Sequence, residues 1–156
     1  MTHQLLFVQG GGAGAHDEWD SKLVASLRRA LGPGYDIRYP RMPKENDPSF
    51  AAWEATLQQE IANLDDGAIV LIATPFVGEG GWPTDNWQPE SDLGGKLPRG
   101  VPIYLYHGEA DTTAPPAHAE LYARAIPQAH ICLLAGRDHQ LDNDLREIAA
   151  VITRLG

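Results

Sequence analysis

The stretch GAIVLIATPF at residues 67–76 sets six consecutive apolar residues, Ala68 to Ala73, between Asp65-Asp66-Gly67 and Pro75. Ile69, Val70 and Ile72 are β-branched, and no polar residue alternates with them. A strand buried on both faces reads this way, and Gly67 and Pro75 leave too little room for a buried helix. Helical patterns lie on either side in sequence, so this is the expected middle strand of a parallel sheet. Such sheets do chemistry beyond the C-terminal ends of their strands, here at Thr74-Pro75-Phe76.

Upstream, HQLLFVQG at 3–10 is an apolar run closing in glycines, which predicts a first buried strand. Trp19, Leu23, Val24, Leu27 and Leu31 recur at helical spacing opposite Lys22, Arg28 and Arg29, until Gly32-Pro33-Gly34 ends the helix. Residues 35–41 read as a short second strand. Phe50, Trp53, Leu57, Ile61 and Leu64 then line one face of a second helix, with Asp47 or Ser49 as its cap.

Downstream, 75–100 has no periodicity and is rich in Gly, Pro, Trp and Asp. A loop that long in a compact domain is usually a lid or binding loop, or else partly disordered, and its buried-type aromatics favour a packed lid. Its aromatics Phe76, Trp82 and Trp87 can line an apolar substrate pocket or hold the lid down. Residues 101–107 and 130–136 read as two more strands. Pro115-Pro116 opens a helix with Leu121, Tyr122 and Ala125, and a last helix carries Leu141, Leu145, Ile148, Ile152 and Leu155. The alternation predicts an α/β protein with a doubly wound, mostly parallel sheet, as one domain over 1–156.

Composition narrows the function. At 156 residues and 43% hydrophobic, the chain can build one core. No segment reaches the ~20 apolar residues of a membrane span. The N-terminus MTHQLLFVQGGG lacks the basic and apolar regions of a secretory signal, and there is a single cysteine, so a cytoplasmic location is expected. A net charge of −9 with scattered Lys and Arg argues against nucleic acid and anionic membranes as partners. The six histidines give no H-x-x-x-H pair on a predicted helix, and no cysteine pair exists, so no metal is expected.

Three loops after predicted strand ends carry unusual chemistry: 10–17, 108–116 and 136–140. Asp111 follows one strand end by four residues and His139 follows another by three. A carboxylate and an imidazole so placed can pair for general base catalysis. A turn-forming Asp and a surface His are the plainer alternatives. Gly10, Gly11 and Gly12 can offer backbone N–H groups to an oxyanion. The run from Gly10 to Ala15 also fits the G-x-G-x-x-A nucleotide fingerprint, though Asp36 sits at the wrong end of its strand to be the acidic partner.

HGEADTTAPPAHAELYARAIPQA followed by LLAGRDHQL resembles the C-terminal half of small α/β-hydrolases of the serine-hydrolase type, related to retinoblastoma-binding protein 9. The resemblance implies Asp111 as the catalytic acid and His139 as the base. VQGGGAGAHDEWDSKL is similar to the family's oxyanion-hole loop, which implies that role for Gly10, Gly11 and Gly12. IATPFVGEGGWPTDNW resembles the loop after a later strand. The activity so implied is hydrolysis of a small ester or amide through a Ser–His–Asp triad, without a cofactor.

The family's G-x-S-x-G nucleophile elbow is missing. Serine occurs only at Ser21, Ser26, Ser49 and Ser91, none in that motif. GAIVL matches the start of the strand leading into the elbow, and IATPF the end of the strand after it. The resemblance thus implies an α/β-hydrolase-like sheet shortened by about one strand–helix unit, of roughly 30 residues. Such a loss removes the elbow N–H and would bare apolar helix surface, which favours self-association. Among substitutes, Thr74 has no glycines or helix behind it, Cys132 lies in an apolar strand, and Ser91 sits in the lid. The nucleophile stays unassigned. Two main readings follow: an esterase or amidase whose nucleophile is not in this chain, or an inactive scaffold or binding protein. Nucleotide binding by the glycine loop is a third.

Overall fold

Leu5, Leu6, Phe7 and Val8 are at most 4% exposed, making β1 (His3–Val8) the best-buried strand among the described residues. The computed structural model describes residues 2–73, 92–97 and 99–156, Phe50 for its backbone alone. It divides into two compact units, Met1–Phe76 with Asn143–Gly156, and Val77–Asp142. Thr74, Phe76, Trp82, Trp87 and Ser91 lie outside the described residues, so the lid and pocket expectations do too.

In the first unit β1 runs between β2 (Tyr35–Arg38) and β3 (Ile69–Ile72), both parallel to it. The chain steps from β1 to β2, then returns across β1 to β3. The two crossovers run in opposite directions, and with the right-handed connection that parallel strands adopt, α1 (Ser21–Leu31) and α2 (Phe50–Ala62) fall on opposite faces, the doubly wound arrangement. α1 buries Leu23, Val24 and Leu27 and packs against α5 (Arg146–Leu155), which buries Ile148, Ala149 and Ile152. On the α2 side, Leu6, Val8 and Met42 form a cluster beneath Trp53, Leu57 and Leu64. α2 itself begins where Ser49 accepts the Ala52 N–H, an N-cap of the expected kind.

Among the described residues the middle strand of this three-stranded sheet is therefore β1, and β3 (Ile69–Ile72), expected in the middle, is corrected to its edge. Register places Val70 beside Leu6 and Ile72 beside Val8. Yet Val70 is 44% exposed and Ile72 65%. The cause is coverage: the aromatic and aliphatic side chains of α2 settle on Leu6, Val8 and Met42. An apolar run looks the same in sequence whether or not a helix lies over it.

The second unit holds two parallel strands, β4 (Ile103–Gly108) and β5 (Ala129–Leu134), paired from Ile103 opposite Ala129 to Gly108 opposite Leu134. α4 (Ala117–Ala125) crosses between them and buries Ala119 and Ala125. One helical turn, α3 (Leu93–Lys96), falls inside the stretch expected to be loop. The last helix also begins later than its spacing suggests. Leu141, Asp142 and Asn143 take φ of 50, 55 and 54°, which no right-handed helix allows, so α5 starts at Arg146. Among the described residues no helix is long and apolar enough to cross a membrane.

The new strand order can be tested by truncation. Leu6→Ala should cost about 2–5 kcal/mol of stability, and Ile72→Ala less than about 1, because only the first opens a cavity. Denaturant unfolding of the two variants reads the difference, and equal losses would return β3 to the core.

Candidate active site

Parallel pairing brings the ends of β4 and β5 to one edge of the second unit, and the loops that leave them are tied together. Glu109 N–H donates to the Leu134 carbonyl at 3.0 Å, and Ala110 N–H to the Arg137 carbonyl at 2.9 Å. Gly108 makes this approach possible. A methyl group there would collide with the carbonyl oxygens of Arg137 and Asp138, so only glycine lets the two loops cross.

Asp111 is held at the centre of this crossing, 7% exposed. Its Oδ1 accepts the N–H groups of Thr113 and Ala114, both at 2.8 Å. Its Oδ2 takes His139 Nδ1 at 2.8 Å. A buried carboxylate needs such donors, since leaving it unpaired costs several kcal/mol. Burial by itself pushes the Asp111 pKa up; the Ala114 amide, His139 and the Thr113 amide outweigh it and hold the group below its usual range. It is thus ionised at neutral pH. An ionised carboxylate only accepts, so Nδ1 of His139 carries the proton and proton transfer falls to Nε2.

The His139 loop is shaped by its neighbour Asp138. One carboxylate oxygen of Asp138 accepts Gln140 N–H at 2.9 Å and Asp142 N–H at 2.8 Å. Arg137 adds a bond from Nη1 to the Leu141 carbonyl at 3.3 Å. Together these hold the left-handed turn at Leu141 and Asp142, a conformation worth about 1–2 kcal/mol of strain per residue. A cavity of about 770 Å³ in this unit is lined by Leu97, Arg99, Val101, Arg124, Pro127 and Gln128. Those residues lie at the starts of β4 and β5, the far edge from Asp111 and His139.

The glycine loop belongs to the first unit, and buried polar groups hold it. Gly10 N–H donates to Asp20 Oδ2 at 2.7 Å, and Gly12 N–H to the Glu45 carbonyl at 2.7 Å. Gln9 is fully buried; its amide donates to Glu45 Oε2 at 2.9 Å and accepts the Met42 N–H at 2.8 Å. His16 N–H also reaches Glu45 Oε2, at 3.1 Å, and its ring stacks on Tyr39 with centroids 4.2 Å apart. Asp20 and Glu45 carried no signal in sequence, because the loop groups they hold, Gly10 for one and Gln9 and His16 for the other, lie ten or more residues away. The described serines each hold structure. Ser21 Oγ donates to the Asp17 carbonyl at 2.7 Å, Ser26 Oγ accepts Leu145 N–H at 3.0 Å, and Ser49 caps α2.

No protein-family model matches this chain, and no curated protein sequence matches it. Solved structures do. One is Est1E from Butyrivibrio proteoclasticus, determined with ferulic acid bound: 11% identity, TM-score 0.60, spanning 97% of this chain and 87% of that one. Another is a YdeN-like hydrolase from Pectobacterium atrosepticum: 13% identity, TM-score 0.58, spanning 96% and 92%. The fold is α/β-hydrolase-like. Identity this low carries the backbone arrangement of the α/β-hydrolase fold and nothing about substrate.

Two outcomes test the site. Gly108→Ala should force the loops apart and break the Asp111–His139 bond, seen as loss of the hydrogen-bonded imidazole proton by NMR. In addition, Asp111 has a folded pKa below its unfolded value of about 3.9. Its ionised form therefore stabilises the protein above that value, and the contribution is lost as pH falls through the folded pKa. Wild type and Asp111→Asn should differ in stability at about pH 7 and converge as pH falls beneath the usual carboxylate range, measured by denaturant unfolding at each pH.

Proposed function

We propose that this chain carries the acid–base half of a serine esterase or amidase. In this reading Asp111 orients His139, His139 Nε2 accepts a proton from a nucleophile, and the substrate is a small carboxylic ester or amide. The observation that carries it is the 2.8 Å bond from His139 Nδ1 to Asp111 Oδ2 beyond the ends of adjacent parallel strands. The α/β-hydrolase-like fold supports it. Gly10, Gly11 and Gly12 are assigned the oxyanion on sequence grounds. Since Gly10 and Gly12 already donate to Asp20 and Glu45, the N–H of Gly11 is the candidate donor. Trp82, Trp87 and Phe76 are assigned to the acyl pocket on the same grounds.

The nucleophile is not among these residues in the reading, and the bare apolar side chains of Val70 and Ile72 on β3 support a missing strand–helix unit beside them. A second reading, a hydrolase-fold scaffold without chemistry, is favoured by one observation. Each described serine is committed to a helix start or a helix contact.

Labelling with a fluorophosphonate probe separates the two. Labelling that disappears in His139→Ala, with turnover of short p-nitrophenyl esters, is the outcome expected of a hydrolase. No labelling and no turnover would leave the scaffold reading standing. The intact mass locates the nucleophile: a purified species well above 17.0 kDa would contain the missing unit.

A further inference from the structure

A second imidazole faces the Asp111 carboxylate. His107, the penultimate residue of β4, places Nε2 3.5 Å from Asp111 Oδ2, the oxygen that also takes His139. The same Nε2 lies closer, 3.0 Å, to the Ala114 carbonyl oxygen. A carbonyl only accepts, so Nε2 of His107 carries the proton and gives it to Ala114. Ala114 in turn donates its own N–H to Asp111 Oδ1. One peptide unit on each side of Ala114 is therefore clamped, by His107 through the carbonyl and by Asp111 through the amide. The clamp closes the turn from Gly108 to Ala114 around the carboxylate, with the His107 side chain 19% exposed and that of Asp111 4%.

We propose that His107 is a positioning residue for the acid of the dyad: its Nε2–H to Ala114 fixes the turn that presents Asp111 Oδ2 to His139. The proposal rests on the functional reading of Asp111 and His139 and adds to it a third side chain with a defined tautomer. Its chemistry is specific. His107 must be the Nε2–H form and His139 the Nδ1–H form, opposite tautomers on one carboxylate oxygen. The proton of His107 points mainly at the peptide, so it steadies Oδ2 without competing for the bond from His139. A side chain of equal bulk without a donor cannot replace it. One whose amide nitrogen falls near the Nε2 position can.

Imidazole nitrogen NMR on the full chain tests this. At a pH where both rings are neutral, wild type should show His107 protonated at Nε2 and His139 at Nδ1. His107→Leu keeps apolar bulk and removes the donor. It should move His139 toward the Nε2–H form and speed exchange of the Thr113 and Ala114 amide protons by about tenfold or more, as expected for loss of one buried hydrogen bond. His107→Gln should restore both readouts. Finding His107 protonated at Nδ1 in wild type overturns the proposal, a measurement that stands even if a variant does not fold. So does a folded His107→Leu with His139 and the two amides unchanged. None of these readouts involves turnover. A chain that hydrolyses nothing can still show the clamp, and an active one can lack it.

Discussion

A carboxylate that is almost wholly out of water must be surrounded by donors, and in the second unit that requirement falls on Asp111. Two backbone amides and the imidazole of His139 meet it. Each donor fixes a piece of chain: Thr113 and Ala114 set the turn after β4, and His139 draws in the loop after β5. Burial raises the energetic stakes, because a partly satisfied carboxylate costs more than none at all. The same bonds that satisfy the charge orient the imidazole. Positioning and stability are here one set of contacts.

The first unit solves a similar problem differently. Its loop after β1 has glycines, and glycine alone gives no unique shape. Shape comes from Asp20 in an adjoining helical turn and Glu45 after β2, which bond to the loop backbone, and from Gln9, which ties the start of the loop to Glu45 and Met42. The cluster His16, Asp17, Tyr39 and Arg41 closes over the outside, with Arg41 paired to both Asp17 and Glu45. A loop offered as a donor of N–H groups is thereby made rigid, at the expense of two of its three donors.

Much of this was legible in the residues. Strand positions follow from apolar runs ended by glycine or proline, and Asp111 and His139 stand out because each follows a strand end at short range. The order of the strands did not follow. Central and outer strands of a parallel sheet share composition, and what separates β1 from β3 is where the α2 side chains land, a long-range fact. Gly108 is another such case: its need for glycine comes from Arg137 and Asp138, almost thirty positions on. Leu141 misled for a local reason. Its spacing to Leu145 and Ile148 is helical, but the Asp138 carboxylate captures the backbone N–H of Asp142 first.

That captured turn also limits how order spreads along the chain. A helix running back to Leu141, as the leucine spacing invites, would join the His139 loop to α5 as one cooperative element. The left-handed residues forbid it and delay α5 to Arg146. The loop that carries His139 therefore owes its shape to Arg137 and Asp138 rather than to helix formation further on.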